Sequence, residues 1–496
     1  MKNQLLHGTL ILTMAGIVTR LIGFVYRVFL AGELGEVNLG IYQLIFPVYS
    51  ICFTIYAAGI QTAVSQMISH DNEKRYDSIL KSAITLSLFF SITLFFVIHI
   101  FRGEIACRFL GSSKAGELLG ILSYIFPICG ITSVTNGFFY GINHAKIPAM
   151  TQIIEQLVRV VFVFSVCYLW ANDQHSIYIA VWGLVMGELC SNLYNLYHIK
   201  KYFSAKRFLH SNYCIGKILR YSMPLSGTKL VIAILSSVES VLIPVVMQRY
   251  GYSNEMAIGL YGILTGVVLP FILFPGTITN SLSVLLLPAI AKASGSQNHS
   301  QIRYTSSITV RYSLLLGVLT SSLFLNFGSE IGQLIFHNEN AGKLLTVMAF
   351  LCPFLYVTTT LASIINGLGK TGITFVFTII GLMVRILGLL LIAPYYGIYG
   401  YLLGMLVSQI LICILHGGYL IKTRKMSCNM SKYFVWPMIF STCIMFLCKT
   451  AGIWMNTKTG QSFYPIVFVI PAVILILLYF ISFQLVSIYD FKIKKY

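Results

Sequence analysis

The sequence predicts an all-α polytopic membrane protein of about fourteen spanning helices, and three observations carry that prediction. Hydrophobic residues make up 57% of the 496 positions and charged residues only 10%, against about 25% charged in soluble domains. The polar residues gather into short intervals between apolar runs of roughly 20 residues or more, the length a helix needs to cross the hydrocarbon. These runs are too long and continuous for barrel strands, and lipid cannot hydrogen-bond a bare backbone, so helices are the spanning structure that remains.

Taken in order, the spans fall near 8–30, 40–69, 78–101, 118–141, 149–171, 177–199, 219–248, 256–290, 304–327, 343–367, 372–393, 397–421, 433–453 and 464–487. The first follows Met1-Lys2 without a small-residue cleavage site, so it is read as retained. An even number of spans places both termini on one side. With that side cytoplasmic, 21 of the 34 Lys and Arg lie in inner segments and 7 in outer ones, which is the orientation bias of membrane proteins. Most of the formal charge of +19 is then orientation and attraction to anionic head groups, and no nucleic-acid partner is expected. The eleven cysteines fall mostly inside spans and form no Cys-x-x-Cys pair; they read as small buried hydrophobes, with no metal site implied.

An internal repeat organises the chain. Residues 127–159 match 353–385 at a constant offset of 226, pairing Pro127 with Pro353, Gly141 with Gly367 and Val158-Arg159 with Val384-Arg385. The register resumes at 217, where Gly183, Gly187 and Ser191 meet Gly400, Gly404 and Ser408, small-residue stripes that let helices pack closely in lipid. A fainter match pairs Gly40-Ile41-Tyr42 with Gly259-Leu260-Tyr261. The expected organisation is therefore a six-helix lobe over 1–205, a second over 206–425 and a helix pair over 426–496, with the basic stretch from Lys200 to Arg220 as hinge or tether.

Ionisable groups at membrane depth cost about 2.5 kcal/mol or more each at a helix centre, so they usually face a cavity or one another. They are Arg20 and Arg27 in span 1, Glu155 and Arg159 in span 5, Glu188 in span 6, Lys229 and Glu239 in span 7 and Arg385 in span 11, with Arg311 nearer an edge. Without Arg311 there are five cations against three carboxylates. Arg20 and Arg27 are two turns apart and share a helix face. Glu155 and Arg159 can pair across one turn, whereas Arg385, the repeat counterpart of Arg159, has Gly381 at the glutamate's place. The planar fork of a guanidinium at such a position suits two phosphate oxygens. Plainer readings stand beside these: Arg27 snorkelling, Glu155 and Arg159 as a structural pair, Lys229 reaching the inner interface. Glu188 and Glu239 are partners for the cations or carriers of a proton or coupling cation. No Gly-x-x-x-x-Gly-Lys-[Ser/Thr] loop is present, so ATP drive within the chain is not expected.

The opening stretch from Gly8 to Arg27, with its Thr19-Arg20-x-x-Gly23-Phe24 core, followed by Gly35-Glu36 and Gly40-Ile41-Tyr42, resembles the stage V sporulation protein B group of polysaccharide-biosynthesis proteins. The Glu155-Gln-x-Val-Arg159 segment extends the likeness. That group sits in the MOP superfamily beside lipid II flippases, O-antigen flippases and MATE drug exporters. The resemblance implies two six-helix lobes in a V around a central cavity, alternating access, and a bacterial cell membrane location. It also implies a cationic cavity for a lipid-linked, undecaprenyl-diphosphate sugar of the lipid II type, used in peptidoglycan synthesis or sporulation. Arg20 stands where the flippases carry a cavity arginine; Arg27 is displaced by one residue from their second, a rotation of about 100° on a helix. Arg159, Lys229 and Arg385 complete the implied substrate-binding set, and Glu155, Glu188 and Glu239 the coupling or charge-pairing set. The implied partners are the lipid-linked oligosaccharide, membrane lipids and cell-wall synthesis enzymes; no enzyme activity and no cofactor are expected beyond a coupling ion, H+ or Na+.

The alternative is a cation-coupled exporter of small amphiphiles of the MATE type, in which Glu188 and Glu239 outweigh the arginines. A membrane glycosyltransferase using Glu33 and Glu36 is a third reading, set against short outer segments. Reporters fused after Ser211 and after Ser427 are expected to be cytoplasmic and one after Asp173 external. An external signal from either of the first two overturns the fourteen-span arrangement.

Overall fold

The computed structural model describes residues 2–71, 76–169, 175–204, 215–423, 426, 429–459, 465–483 and 485, with side chains for all of these except 2–10, 204, 282–289, 456, 459, 465 and 466. The three reporter positions and the middle of the basic linker lie outside the described residues. Two compact units divide the chain, Met1–Gly262 and Ile263–Tyr496. The first holds α1 (Lys2–Phe53), α2 (Gly59–His70), α3 (Tyr76–Glu104), α4 (Lys114–Ser123), α5 (Ile125–Gly141), α6 (Lys146–Leu169), α7 (Ser176–Ser204), α8 (Ile215–Tyr250) and α9 (Asn254–Gly262). The second holds α10 (Leu269–Leu273), α11 (Gly276–Gly295), α12 (His299–Phe336), α13 (Glu339–Met348), α14 (Cys352–Gly367), α15 (Thr371–Leu391), α16 (Ala393–Lys422), α17 (Trp436–Thr459) and α18 (Val469–Ser482).

Among the described residues, eleven helices are long and apolar enough to cross a bilayer, or twelve when α4 and α5, bent by 42°, form one span. The 60-residue run Ile11–His70 counts once among these, yet it breaks at Gly35, whose φ of 68° and ψ of 174° suit glycine, and it is long enough for two crossings. With the shorter apolar helix Val469–Ser482, the expected figure of about fourteen is roughly matched. Span 8 differs: the single run expected over 256–290 is divided at Phe274 and Pro275 into Asn254–Leu273 and α11, because Pro270 and Pro275 each remove a backbone donor.

The helices themselves carry the repeat. α5 ends at Gly141 and α14 at Gly367. Upstream, the helix begun by α3 ends on left-handed Gly111 (φ 69°), and α12 ends on left-handed His337 (φ 50°), again 226 residues apart. By packing, the first unit runs past residue 205 to Gly262, since α8 and α9 lie against α1 and α2. Recurrence in sequence and co-packing thus divide the chain at different points.

Glycine sets the helix spacing. A Cβ on Gly183 would stand 2.3 Å from Val163 Cγ2, and one on Gly187 2.6 Å from the Glu155 carbonyl oxygen. In the second unit, Cβ atoms on Gly388 and Gly404 would stand 2.8 and 3.1 Å from each other's Cα. The faint Gly40 and Gly259 match also packs upon itself: a Cβ on Gly40 would meet the Ile258 carbonyl oxygen at 2.1 Å, and one on Gly262 the Gly40 nitrogen at 2.4 Å.

Gly388→Val is expected to lower the melting temperature of the detergent-purified protein, since overpacking of a tight contact costs about 1–3 kcal/mol. Gly418→Val, at a glycine with nothing within 4 Å, is expected to melt like the parent. Equal melting of both variants overturns the role given to the α15–α16 contact.

Candidate functional site in the first helical unit

The site is built on α6, where Glu155 and Arg159 stand one turn apart. Arg159 Nη2 donates to Glu155 Oε1 in an ion pair whose side chains are 15% and 25% exposed. Glycines on α7 let its backbone close over the pair, with a Cβ on Gly187 falling 3.3 Å from Arg159 Cβ. The spacing in the sequence thus reads correctly as a contact, and the small-residue stripe is what encloses it.

α1 approaches α6 at Gly23, where a Cβ would lie 3.9 Å from Gln156 Oε1, and Phe29 stacks on Phe164 with centroids 3.9 Å apart. This docking brings Tyr26, Arg27 and Tyr42 within electrostatic reach of Arg159. From α7, Glu188 is 5% exposed and lies within reach of both Glu155 and Arg159. Three buried polar atoms in this region have no hydrogen-bond partner among the described residues: Tyr26 OH, Arg159 Nε and Glu188 Oε1. An unsatisfied buried group costs about 1–3 kcal/mol, so the region is one where a proton or small polar guest is stabilising.

Further along α7, a network ties three helices together. Asn192 Nδ2 donates to the Ile128 carbonyl at 3.1 Å and to Thr132 Oγ1 at 3.0 Å. Asn195 Nδ2 donates to Asn136 Oδ1 at 3.0 Å, and Thr151 Oγ1 donates to Asn195 Oδ1 at 2.8 Å. Sequence reading missed these residues. Their signal was the recurrence of Glu188, Asn192 and Asn195 at helical spacing on one face.

The second unit keeps only part of this chemistry, with Thr358 and Gln409 at the places of Thr132 and Asn192. At the offsets of the repeat, Glu155, Thr151, Glu188 and Asn195 become Gly381, Phe377, Met405 and Ile412, and a Cβ on Gly381 would meet Ile412 Cδ1 at 2.1 Å.

The other expected residues lie on α1, α8 and α15. Arg20 and Arg27 are exposed on α1, and neither pairs with a carboxylate among the described residues. Lys229, exposed on α8, donates to the Ala58 carbonyl at 3.1 Å. Glu239 is buried on α8 at 2% exposure, and Arg385 is half-buried on α15 in the second unit. Glu33 accepts a hydrogen bond from Ser176 Oγ at 2.9 Å, and Glu36 packs beside Gly259, which leaves them as joints between helices. Cys107 and Cys443 are exposed, unlike buried Cys52, Cys129, Cys167 and Cys352.

The family described as polysaccharide biosynthesis protein matches residues 5–294. Stage V sporulation protein B of Bacillus subtilis (strain 168) is 27% identical over 448 residues, spanning 87% of this chain and 86% of that protein. Among solved structures, a lipid II flippase MurJ in an inward closed conformation aligns with a TM-score of 0.73 and 16% identity, covering 96% of this chain and 98% of that one. An inward-facing multidrug resistance MATE family transporter of the MOP superfamily aligns with a TM-score of 0.61 and 16% identity, covering 82% of this chain and 95% of that one. The fold is therefore that of the MOP superfamily.

Removing one partner of an ion pair strands the other charge, at a cost of about 3–5 kcal/mol when fully buried and less at the partial exposure of this pair. Glu155→Gln is thus expected to lower membrane abundance, and the double variant Glu155→Gln, Arg159→Gln to restore it, measured by quantitative blotting. Normal abundance of the single variant removes the pair from the structure's support.

Proposed function

Since this chain belongs to the polysaccharide biosynthesis protein family and shares the fold of a MATE family transporter, we propose that it translocates a lipid-linked sugar precursor across the bacterial cell membrane. The substrate class is an undecaprenyl-diphosphate sugar of the lipid II type, moved by alternating access with its lipid tail left in the bilayer. The observation that carries this reading is the pair of exposed arginines, Arg20 and Arg27, on one face of a spanning helix and without a carboxylate partner among the described residues. An exposed guanidinium at membrane depth is stable when it faces water or an anion, and its fork matches two phosphate oxygens. Arg385 is the candidate cation of the second unit. Arg159, held by Glu155, acts by positioning unless the diphosphate draws it away.

The energy source is proposed to be a proton or sodium ion taken by Glu188, the buried carboxylate whose Oε1 has no partner. The same carboxylate supports the second reading, a cation-coupled exporter of small amphiphiles. Both termini are proposed to be cytoplasmic, and cell-wall synthesis enzymes are proposed partners.

In proteoliposomes with a labelled lipid-linked precursor, Arg20→Ala and Arg385→Ala are each expected to abolish head-group translocation at near-normal abundance. Arg→Lys at either position is expected to rescue only partly, because a point charge replaces a bidentate fork. Wild-type rates in both alanine variants overturn the cationic mechanism, and efflux of an organic cation lost only in Glu188→Gln favours the exporter instead.

A further inference from the structure

We propose that Lys229 is a releasable catch on a π turn in the second spanning segment, opened when the phosphate of an anionic lipid-linked substrate takes its ammonium away. The inference rests on the substrate reading above and adds to it a coupling between binding and helix conformation.

Between α1 and α2 the helix widens into a π turn over Thr54–Ala58. Such turns leave carbonyls imperfectly bonded within the helix and recur at functional sites. In a bilayer those carbonyls need side-chain partners, and here they have them. Ser87 Oγ donates to the Tyr56 carbonyl at 2.7 Å, Thr62 Oγ1 to the Ala58 carbonyl at 3.0 Å, and Lys229 Nζ to that same Ala58 oxygen at 3.1 Å.

Two of these donors are neutral hydroxyls, Thr62 one turn along and Ser87 on α3, and have nowhere better to go. Lys229 differs, because its ammonium is charged, its side chain is exposed, and its partner among the described residues is a neutral carbonyl. Phosphate oxygens carry full charge and form the shorter, stronger bond, so an arriving anion outcompetes Ala58. The backbone of α8 is meanwhile fixed on the turn: a Cβ on Gly59 would stand 1.8 Å from Ser226 Oγ and 2.9 Å from the Ser222 carbonyl oxygen. Release therefore swings the Lys229 side chain without shifting α8, and it removes the charged donor that favours the π geometry. The turn then becomes a bending point whose stiffness depends on substrate.

Hydrogen exchange of the 54–62 backbone, read by mass spectrometry in nanodiscs, tests this, with undecaprenyl diphosphate as the probe and its binding scored separately by native mass spectrometry. In the parent protein, probe is expected to speed exchange about tenfold, the factor set by losing one hydrogen bond to a charged group. Lys229→Met is expected to exchange fast without probe and to show no further response. Lys229→Arg, which keeps donor and charge, is expected to retain both the slow baseline and the response. Ser87→Ala is expected to raise the baseline yet keep the response, because its donor is uncharged. Probe that binds the parent without changing exchange overturns the catch and leaves the substrate reading intact, as does a full response in Lys229→Met. Failure of the parent to bind the probe overturns the substrate reading and the catch together. Should Lys229→Met not accumulate, the parent with and without probe and Lys229→Arg decide the matter.

Discussion

A bilayer gives two helices no hydrophobic reason to associate, because the hydrocarbon around them is as apolar as the side chains they would bury. This chain brings helices together through close backbone approach at glycine, and the rest of its architecture follows from that. Backbones close enough to exclude a Cβ can reach each other with polar groups, as where Ser408 Oγ donates to the Gly381 carbonyl at 2.7 Å. The Glu155–Arg159 pair is enclosed in the same way. It lies against Gly183 and Gly187 of α7, so its shelter comes from missing side chains rather than bulky neighbours. Interhelical dispersion and hydrogen bonding then supply what hydrophobic burial supplies in a water-soluble core.

The repeat and its exceptions separate scaffold from chemistry. Positions that recur at a fixed offset are those the backbone demands: the helix-ending Gly141 and Gly367, the left-handed residues Gly111 and His337, the paired small-residue stripes. Several polar positions do not recur. The first unit holds Thr151, Glu155, Glu188 and Asn195, where the second has Phe377, Gly381, Met405 and Ile412. Ile412 occupies the space beside Gly381, so hydrocarbon fills part of one copy of the interface where the other holds a polar network. Two copies of one scaffold have been given unlike interiors, as expected when one task is supplied by a single lobe.

How much of this is legible in the sequence depends on how local the cause is. Spanning segments are legible because lipid imposes one length and one polarity on each of them, and the Glu155–Arg159 pair is legible because four residues make one turn. The break in span 8 lies in plain view at Pro275, yet continuous hydropathy outweighs it. The π turn at Thr54–Ala58 is not legible, since it depends on a single extra residue and on donors from Ser87 and Lys229, 31 and 171 positions away from their acceptors. Asn192 and Asn195 escape notice for a different reason: a search for ionisable groups passes over neutral amides, and their importance arises only when α5 and α6 present Thr132, Asn136 and Thr151 to them.

The distribution of charge in the first unit links the two kinds of site. Around α6 and α7, apart from buried Glu239 on α8, two carboxylates, Glu155 and Glu188, stand against one guanidinium, Arg159, while the exposed α1 face carries Arg20 and Arg27. With both carboxylates ionised this region is one negative charge in excess, and a proton or small cation there restores neutrality. Arg27 lies within electrostatic reach of Arg159, and on the proposed reading neutralisation beside Arg159 is felt at the exposed face. At an effective dielectric of about 20, two unit charges about 4 Å apart interact by about 4 kcal/mol, and the interaction weakens in proportion to distance. Filling the interior site makes the arginine face more positive, and emptying it makes the face less so. On the proposed reading, one buried carboxylate thereby serves both to take up the coupling ion and to set how firmly the arginines hold a phosphate, with no contact between ion and substrate required.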